Sequence, residues 1–274
     1  MVVLRKILLV FGIVFIIVPG LSAQNLRGMS LNGATGLYIV PTGNIGWERS
    51  AGLDMGYHGI LNRNFNHLFN LNISLFRLME VSLAFDLQDN NYYDAQNDDF
   101  IIGTKIRIPS FNRDTSIGIG GNLQILNIGE ERFANSIFNR AVGGYYTAGQ
   151  IYGAITYRST FLGSMAETSM VVGKTFYKGM DSSIDFGLGF DLLLLPQYLD
   201  RFVHFIIDFA NFSYSDSPNP KISVSRGIFN AGLRLDLSAI PVFNKFKFTI
   251  DALITDGFDA GRSFSVGVVF GVPL

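Results

Sequence analysis

The chain ends with Ser263-Phe264-Ser265-Val266-Gly267-Val268-Val269-Phe270-Gly271-Val272-Pro273-Leu274, in which two kinds of residue alternate. Every second residue from Phe264 to Leu274 is large and apolar, whereas the positions between them carry mainly serine and glycine. A period of two residues is typical of a β-strand whose two faces meet different environments. The end of the chain is therefore predicted to be a strand.

The same alternation recurs along the sequence. We count about twelve such segments, and an even number of antiparallel strands closes a bacterial outer-membrane barrel. The predicted fold class is all-β, a closed antiparallel transmembrane β-barrel. Val171-Val172 and Ile206-Ile207 place apolar residues on both faces of their strands, which predicts a bulge or a register error. The predicted strands are 48–59, 67–76, 80–89, 100–109, 115–127, 149–158, 166–177, 182–194, 202–214, 227–238, 245–255 and 262–273.

The composition favours a membrane barrel over other classes of protein. Of the 274 residues 16% are charged, 30 are glycine and none is cysteine, and the formal net charge is -1. These values exclude a disordered chain, a disulfide scaffold and a basic nucleic-acid binder. The face opposite the apolar one is rich in Gly, Ser, Asn and Asp, without the long charged residues that would cover a soluble sandwich. Small polar side chains suit a barrel interior.

The first 23 residues have the layout of a secretory signal peptide. Arg5 and Lys6 precede an apolar run from Ile7 to Val18, and small residues follow up to Ala23. The run is shorter than the roughly 20 residues of a transmembrane helix, so we expect cleavage after Ala23. The predicted domains are a signal peptide at 1–23, a periplasmic lead-in or plug segment at 24–47, and the transmembrane β-barrel at 48–274.

The connections between the predicted strands differ in length. Those at 90–99, 128–148 and 215–226 are longer or more polar than most of the others. If the chain starts in the periplasm, all three lie outside the cell, as the long loops of outer-membrane barrels do. Aromatic residues near the predicted strand ends are expected to form interfacial girdles. They are Trp47, Tyr57, Tyr177, Tyr198, Phe202, Tyr214 and Phe243.

Charged residues of both signs fall on the face predicted to line the lumen. In a narrow barrel they would form ion-pair networks that close it, and in a wider one they would set ion or solute selectivity. A twelve-stranded barrel lies between these cases, so both interpretations stay open. The lumen or selectivity candidates are Asp54, His58, Asp86, Lys105, Arg107, Arg158, Asp185, Asp191, Asp208, Arg234, Asp236, Lys247 and Asp251.

Two stretches resemble known envelope proteins. The last strand resembles the terminal strand by which the barrel-assembly machinery recognises bacterial outer-membrane proteins, and the residues in that register are Phe264, Val266, Val268, Phe270, Val272 and Leu274. The stretch Asn32-Gly33-Ala34-Thr35-Gly36-Leu37-Tyr38-Ile39-Val40-Pro41-Thr42 resembles the opening of YjbH-like outer-membrane proteins, a family associated with exopolysaccharide. The resemblance implies an envelope location. The glycines and Pro41 disfavour a membrane-crossing strand there.

Residues for other chemistry are few. Three histidines, His58, His67 and His204, could serve as imidazole bases, and no serine-containing family motif accompanies them. The loop at 89–99 is rich in oxygen ligands but lacks the glycine and terminal glutamate of an EF-hand loop, which favours a solvated loop. The sequence therefore predicts no catalytic site, no metal and no cofactor.

The function predicted from these features is a small pore or passive solute channel in the bacterial outer membrane, with a mixed-charge lumen. The expected partners are outer-membrane lipid, the barrel-assembly machinery and small solutes or an extracellular partner, but no nucleic acid. One alternative is a closed structural or adhesive barrel that binds through its external loops, above all 128–148 with Glu130, Glu131, Arg132 and Arg140. A weaker alternative is a lipid-modifying enzyme.

Overall fold

The computed structural model describes residues 28–48, 51–61, 65–88, 97–109, 112, 114–128, 144–177, 184–199, 202–214, 226–240, 242–243, 245–258 and 262–274. The predicted signal peptide, most of the oxygen-rich loop 89–99 and the loop residues Glu130, Glu131, Arg132 and Arg140 lie outside this set.

The described residues form twelve β-strands, as the alternation predicts. They are β1 (Ala51–Leu61), β2 (Phe65–Leu75), β3 (Met79–Gln88), β4 (Asn97–Ile108), β5 (Thr115–Ile128), β6 (Gly144–Phe161), β7 (Ser164–Tyr177), β8 (Ile184–Leu193), β9 (Val203–Ala210), β10 (Ile228–Asp236), β11 (Lys247–Thr255) and β12 (Ser263–Pro273). A one-turn helix, α1 (Pro196–Leu199), and a 3-10 turn (Leu237–Ala239) lie in the connections.

The strands close into a single antiparallel barrel. Each strand pairs with its neighbours in sequence, and β1 pairs with β12 from Gly52 opposite Pro273 to Leu61 opposite Phe264. Closure satisfies the backbone groups that an open sheet would leave unpaired at its edges. The predicted closed antiparallel β-barrel is confirmed.

The two ends of the barrel differ. The end where β1 starts and β12 finishes is called here the terminal mouth, and the opposite end the loop mouth. At the terminal mouth, β2 and β3 are joined by a tight turn in which Phe76 and Arg77 both have positive φ, and β6 and β7 by Leu162-Gly163, also at positive φ. Two such residues in succession match the twist of a tight hairpin. Because this turn is short, β6 continues to Phe161 and β7 begins at Ser164, so both strands extend into the stretch 159–165 that was predicted to be a connection.

The two faces of the wall have opposite polarity. Outward side chains are large and apolar, and many are well exposed, such as Ile106 at 58%, Ile119 at 53% and Ile151 at 61%. Inward side chains are buried and mainly small or polar. A water-soluble sandwich would have the reverse arrangement, so the outer surface is suited to lipid. No helix among the described residues has the length and hydropathy needed to cross a bilayer.

The prediction of a bulge in β7 and in β9 is wrong. Both strands keep a continuous register with their neighbours. Val171 and Ile206 point inward, and both belong to a buried apolar cluster that also contains Leu37 and Ile39. The inner face is apolar at these positions because it packs against another part of the chain.

That part is residues 28–47, called here the inner segment. All of its residues are buried, and it forms two isolated antiparallel bridges, Met29 with Thr35 and Gly36 with Pro41. It runs from the middle of the lumen to the terminal mouth, where Trp47 contacts the start of β1. Trp47 therefore lies inside the barrel, and its predicted place in an interfacial girdle is wrong.

The strand predicted at 202–214 ends earlier than expected. β9 stops at Ala210, and the chain then turns into the loop mouth, where Phe212 and Tyr214 are buried at 5% and 4% exposure. Tyr214 is thus a second aromatic residue wrongly predicted for a girdle. Two parts of the described chain therefore enter the lumen, the inner segment at the terminal mouth and residues 212–214 at the loop mouth.

Candidate functional site

The lumen is the candidate site, and the inner segment contacts the wall on every side. It makes hydrogen bonds to inward side chains of ten strands, and it packs against glycines of the remaining two, β8 and β12. The hydrogen-bonding residues, in strand order, are Asp54, Asn70, Asn72, Glu80, Lys105, Asn122, Thr156, Glu167, Asp208, Arg234 and Lys247. The glycines are Gly187, Gly189 and Gly271.

Asp208 holds the tip of the inner segment. One carboxylate oxygen, Oδ2, accepts hydrogen bonds from the backbone N–H groups of Tyr38 at 2.9 Å, Ile39 at 2.6 Å and Val40 at 3.2 Å. The other oxygen accepts one from Asn230 Nδ2 at 2.7 Å. Successive backbone N–H groups that converge in this way form a concave anion site, here filled by a side chain of the wall.

A buried ion pair holds the middle of the segment. Lys105 Nζ lies 2.8 Å from Glu80 Oε1, and both side chains are fully buried. Thr35 donates to Glu80 from its backbone N–H at 2.9 Å and from its hydroxyl at 2.7 Å, while its carbonyl accepts from Lys105 at 2.9 Å. The two charges therefore neutralise each other and also satisfy the polar groups of the segment, as buried charges must be satisfied.

A second ion pair lies where the segment meets β1. Lys247 Nζ is 2.7 Å from Asp54 Oδ2, and the indole N–H of Trp47 donates to Asp54 Oδ1 at 2.7 Å. The Trp47 ring occupies the space above Gly52, where any side chain would overlap it. Lys247 Nζ also lies 5.6 Å from the centroid of that ring.

A third pair, between Arg234 and Asp251, crosses from β10 to β11. Two parallel hydrogen bonds of 2.7 Å join the guanidinium to the carboxylate. Arg234 also donates to the carbonyl of Gly36 at 3.4 Å, and its guanidinium lies against Gly28, where a Cβ would overlap it. The planar guanidinium of Arg234 thus binds Asp251 in the wall and contacts the inner segment at the same time.

Glycines in the wall and in the inner segment allow the two to pack closely against each other. A Cβ on Gly189 of the wall would overlap the side chain of Leu37, and a Cβ on Gly43 of the segment would overlap the backbone carbonyl of Ser116. The absence of a side chain at these two positions is what permits the backbone of the segment to pack against the strands.

The remaining lumen candidates also lie on the inner face, and several of them have partners in the wall. Arg158 pairs with Glu167 at 2.8 Å, His204 with Asp191 at 2.7 Å, and Asp185 accepts from Gln150 at 2.7 Å and from Thr175. Asp236 accepts from Ser238 in the 3-10 turn. His58 and Asp86 are buried, and Arg107 is half-buried.

Two acidic residues that matter here were missed by sequence reasoning, namely Glu80 and Glu167. Glu80 and Asp86 are an even number of positions apart in β3, so their side chains point to the same face. The alternation could therefore have identified Glu80. Glu167 lies in the strand whose poor alternation hid its face. The role of the backbone of the inner segment carries no comparable signal in the sequence.

The residues predicted as an assembly signal differ in exposure. Phe264 and Val266 are exposed and Leu274 is 67% exposed, whereas Val272 is buried at 3%. Val272 therefore does not share the exposed surface expected of an outward apolar residue.

The three histidines lie in different surroundings. The ring of His58 packs edge-on against Tyr38 at a centroid distance of 5.9 Å, and neither of its nitrogens has a hydrogen-bond partner among the described residues. His67 shares a hydrogen bond with the Tyr57 hydroxyl, and His204 bonds to Asp191.

A small cavity lies toward the loop mouth. Its volume is about 40 Å³, and it is lined by the carboxamides of Asn122, Gln124 and Gln150, the hydroxyl side chain of Thr175, and the inward-turned residues 212–214. The Tyr214 hydroxyl donates to Gln150 Oε1 at 2.8 Å, which ties the β9–β10 connection to β6.

Comparison with known proteins identifies barrels of the same general shape. No protein-family model matches the chain, and no curated protein matches it in sequence. Among solved structures it is similar to a KdgM porin, with 8% identity, a TM-score of 0.49, and coverage of 81% of this chain and 99% of that one. It is also similar to Omp33 of Acinetobacter baumannii, with 9% identity, a TM-score of 0.42, and coverage of 82% and 98%. For OprD of Pseudomonas aeruginosa the values are 9%, 0.32, and 91% and 98%.

Proposed function

We propose that this chain is an integral outer-membrane β-barrel that forms a small pore for the passive passage of solutes, and that its inner segment acts as a plug that holds the pore shut. The observation that carries the proposal is the contact of residues 28–47 with all twelve strands of a barrel that is apolar outside and polar inside. A closed barrel with an apolar exterior can lie in lipid, because it leaves no unpaired backbone edge in the hydrocarbon.

A plug must be able to leave without unfolding the wall. The inner segment adds no strand to the sheet, and the twelve strands complete their pairing without it. When it leaves, Glu80 with Lys105, Asp54 with Lys247, and Asp251 with Arg234 remain next to each other. The wall therefore keeps its charges compensated. These pairs and the other lumen candidates would then line the pore and set its selectivity.

The same proposal assigns roles to the ends of the chain. Residues 1–23 act as the cleaved signal peptide, and the outward apolar residues of β12 act as the signal for the barrel-assembly machinery. The terminal mouth faces the periplasm, so the plug enters from that side. The stretch 32–42, which resembles the opening of YjbH-like proteins, is the central part of the plug.

A closed structural or adhesive barrel is the second candidate, because the described part of the lumen is filled. The two candidates differ in what happens when the segment is removed. A pore gains permeability, whereas a permanently closed barrel whose lumen is structural either stays sealed or fails to fold.

Liposome swelling separates these outcomes. The mature chain from Gln24 and a variant lacking residues 28–47 are refolded into liposomes, and heat-modifiable migration on gels checks that each has folded. We expect swelling in glycine, a small zwitterion without hydroxyl groups, for the deletion variant and little for the full chain. A folded deletion variant that remains impermeable would refute the pore.

A further inference from the structure

We propose that the cavity at the loop mouth is a binding site for a small uncharged solute rich in hydroxyl groups, and that its occupation releases the plug. This inference rests on the proposed function, since it assigns a ligand class and a control to the same pore.

The lining determines the class of ligand. Carboxamides from Asn122, Gln124 and Gln150 supply both donors and acceptors, as the hydroxyl of Thr175 does, and a solute hydroxyl also needs both. None of the lining residues in the described part of the chain is Lys, Arg or His. Among the described residues, the charged groups bonded to this lining are carboxylates, because Gln150 donates to Asp185 at 2.7 Å and Gln124 lies 3.5 Å from Asp99. An anion would therefore be repelled, and an uncharged solute is favoured.

The size of the cavity makes Tyr214 the element that must move. A volume of about 40 Å³ holds a few water molecules, so it admits part of a polyol but not a whole one. The remainder of the solute would occupy the place of the Tyr214 side chain. Its hydroxyl groups would compete for Gln150 Oε1, the acceptor that Tyr214 now uses at 2.8 Å.

A chain of hydrogen bonds leads from this point to the plug. Gln150 Oε1 also accepts from Asn122 Nδ2 at 3.0 Å, and Asn122 Oδ1 accepts from Nδ2 of Asn32 in the inner segment at 3.2 Å. A ligand that takes over Gln150 therefore disturbs the bond that positions Asn122 against the plug.

An apolar contact leads to the plug by a second route. The side chains of Phe212 and Val40 both pack over Gly187 of the wall. A Cβ added to Gly187 would lie 3.4 Å from the Phe212 ring and 3.0 Å from Val40. Val40 belongs to the tip that Asp208 holds. Displacement of residues 212–214 thus removes packing from the plug tip and weakens a polar contact of the plug at the same time.

The test uses the absence of native cysteine. Ala34 is buried at 2% in the inner segment, so Ala34→Cys places a single thiol there that a maleimide reaches only when the plug leaves. The folded mature chain is labelled with and without myo-inositol, and with gluconate as an anion of similar size. We expect inositol to raise the labelling rate at least threefold and gluconate to leave it unchanged.

Variants and a direct measurement complete the test. Tyr214→Phe frees Gln150 Oε1, so it should lower the inositol concentration that gives the half-maximal labelling rate, whereas Tyr157→Phe, on the outer surface, should leave that concentration unchanged. Titration calorimetry of inositol into the unsubstituted chain checks binding without any substitution. Fast labelling without any solute would contradict the plug itself. Slow labelling that inositol does not change, together with no heat of binding, would overturn this inference and leave the plug standing.

Discussion

At the scale of single residues, Asp208 is one of the main points at which the wall holds the inner segment. Its Oδ2 accepts three backbone hydrogen bonds from residues 38–40. Hydrogen bonds to a charged group contribute about 1.5–3 kcal/mol each. Asp208→Asn removes the charge and turns one oxygen into a donor. We expect a loss of about 2 kcal/mol, hence a labelling rate at Ala34→Cys that rises roughly 30-fold.

The matched control is Asp256→Asn. Asp256 is also buried and pairs with Arg226 at 2.7 Å, at the loop mouth. Its substitution should change the labelling rate by less than about threefold, because no described contact joins it to the inner segment. Equal rates for the two variants would show that Asp208 does not hold the plug.

Gly43 tests the packing of the plug rather than its charges. A Cβ there would overlap the Ser116 carbonyl, which belongs to the backbone and has little freedom to move. Gly43→Ala should therefore increase maleimide labelling while the barrel still shows heat-modifiable migration. Gly153→Ala is the control, since the nearest atom to its Cβ would be the Val172 carbonyl at 3.9 Å. Unchanged labelling in Gly43→Ala would contradict the close packing.

At the scale of elements, the tight turn between β2 and β3 is built from unfavourable residues. Arg77 has φ 61°, a conformation that favours glycine. Relief of a positive φ is worth roughly 1 kcal/mol, so Arg77→Gly should raise the free energy of unfolding by about that amount. Urea unfolding in lipid measures it. Arg77→Ala keeps the strain and should not stabilise; an equal gain for both variants would contradict the explanation.

Alternation predicted the elements well because each strand has one face toward lipid and one toward the lumen. Twelve strands and their faces follow from this single pattern. It failed where the inner face is itself apolar, at Val171 and Ile206, because the pattern cannot show that the chain supplies its own apolar partner. The same cause misplaced Trp47 and Tyr214, since an aromatic residue near a strand end fits a girdle or a lumen equally well.

At the scale of the whole molecule, the two-residue alternation predicted which charged residues face the lumen, but it did not predict which of them form ion pairs. Lys105 and Glu80 are 25 positions apart in sequence, and Lys247 and Asp54 are 193 positions apart. The pairing of β3 with β4 places Lys105 opposite Glu80, whereas closure of the barrel between β1 and β12 brings Lys247 beside Asp54 across Gly271. The sequence predicted charges of both signs in the lumen, whereas the pairing that neutralises them follows from three-dimensional structure.

Single-channel recording in planar bilayers tests the central claim most directly, which is that residues 28–47 close a pore. The full mature chain and the variant lacking these residues are compared after both have passed the heat-modifiability check. We predict rare or absent openings for the full chain and stable ohmic steps for the deletion variant. A folded deletion variant that gives no conductance, or a full chain that conducts equally well, would contradict the account.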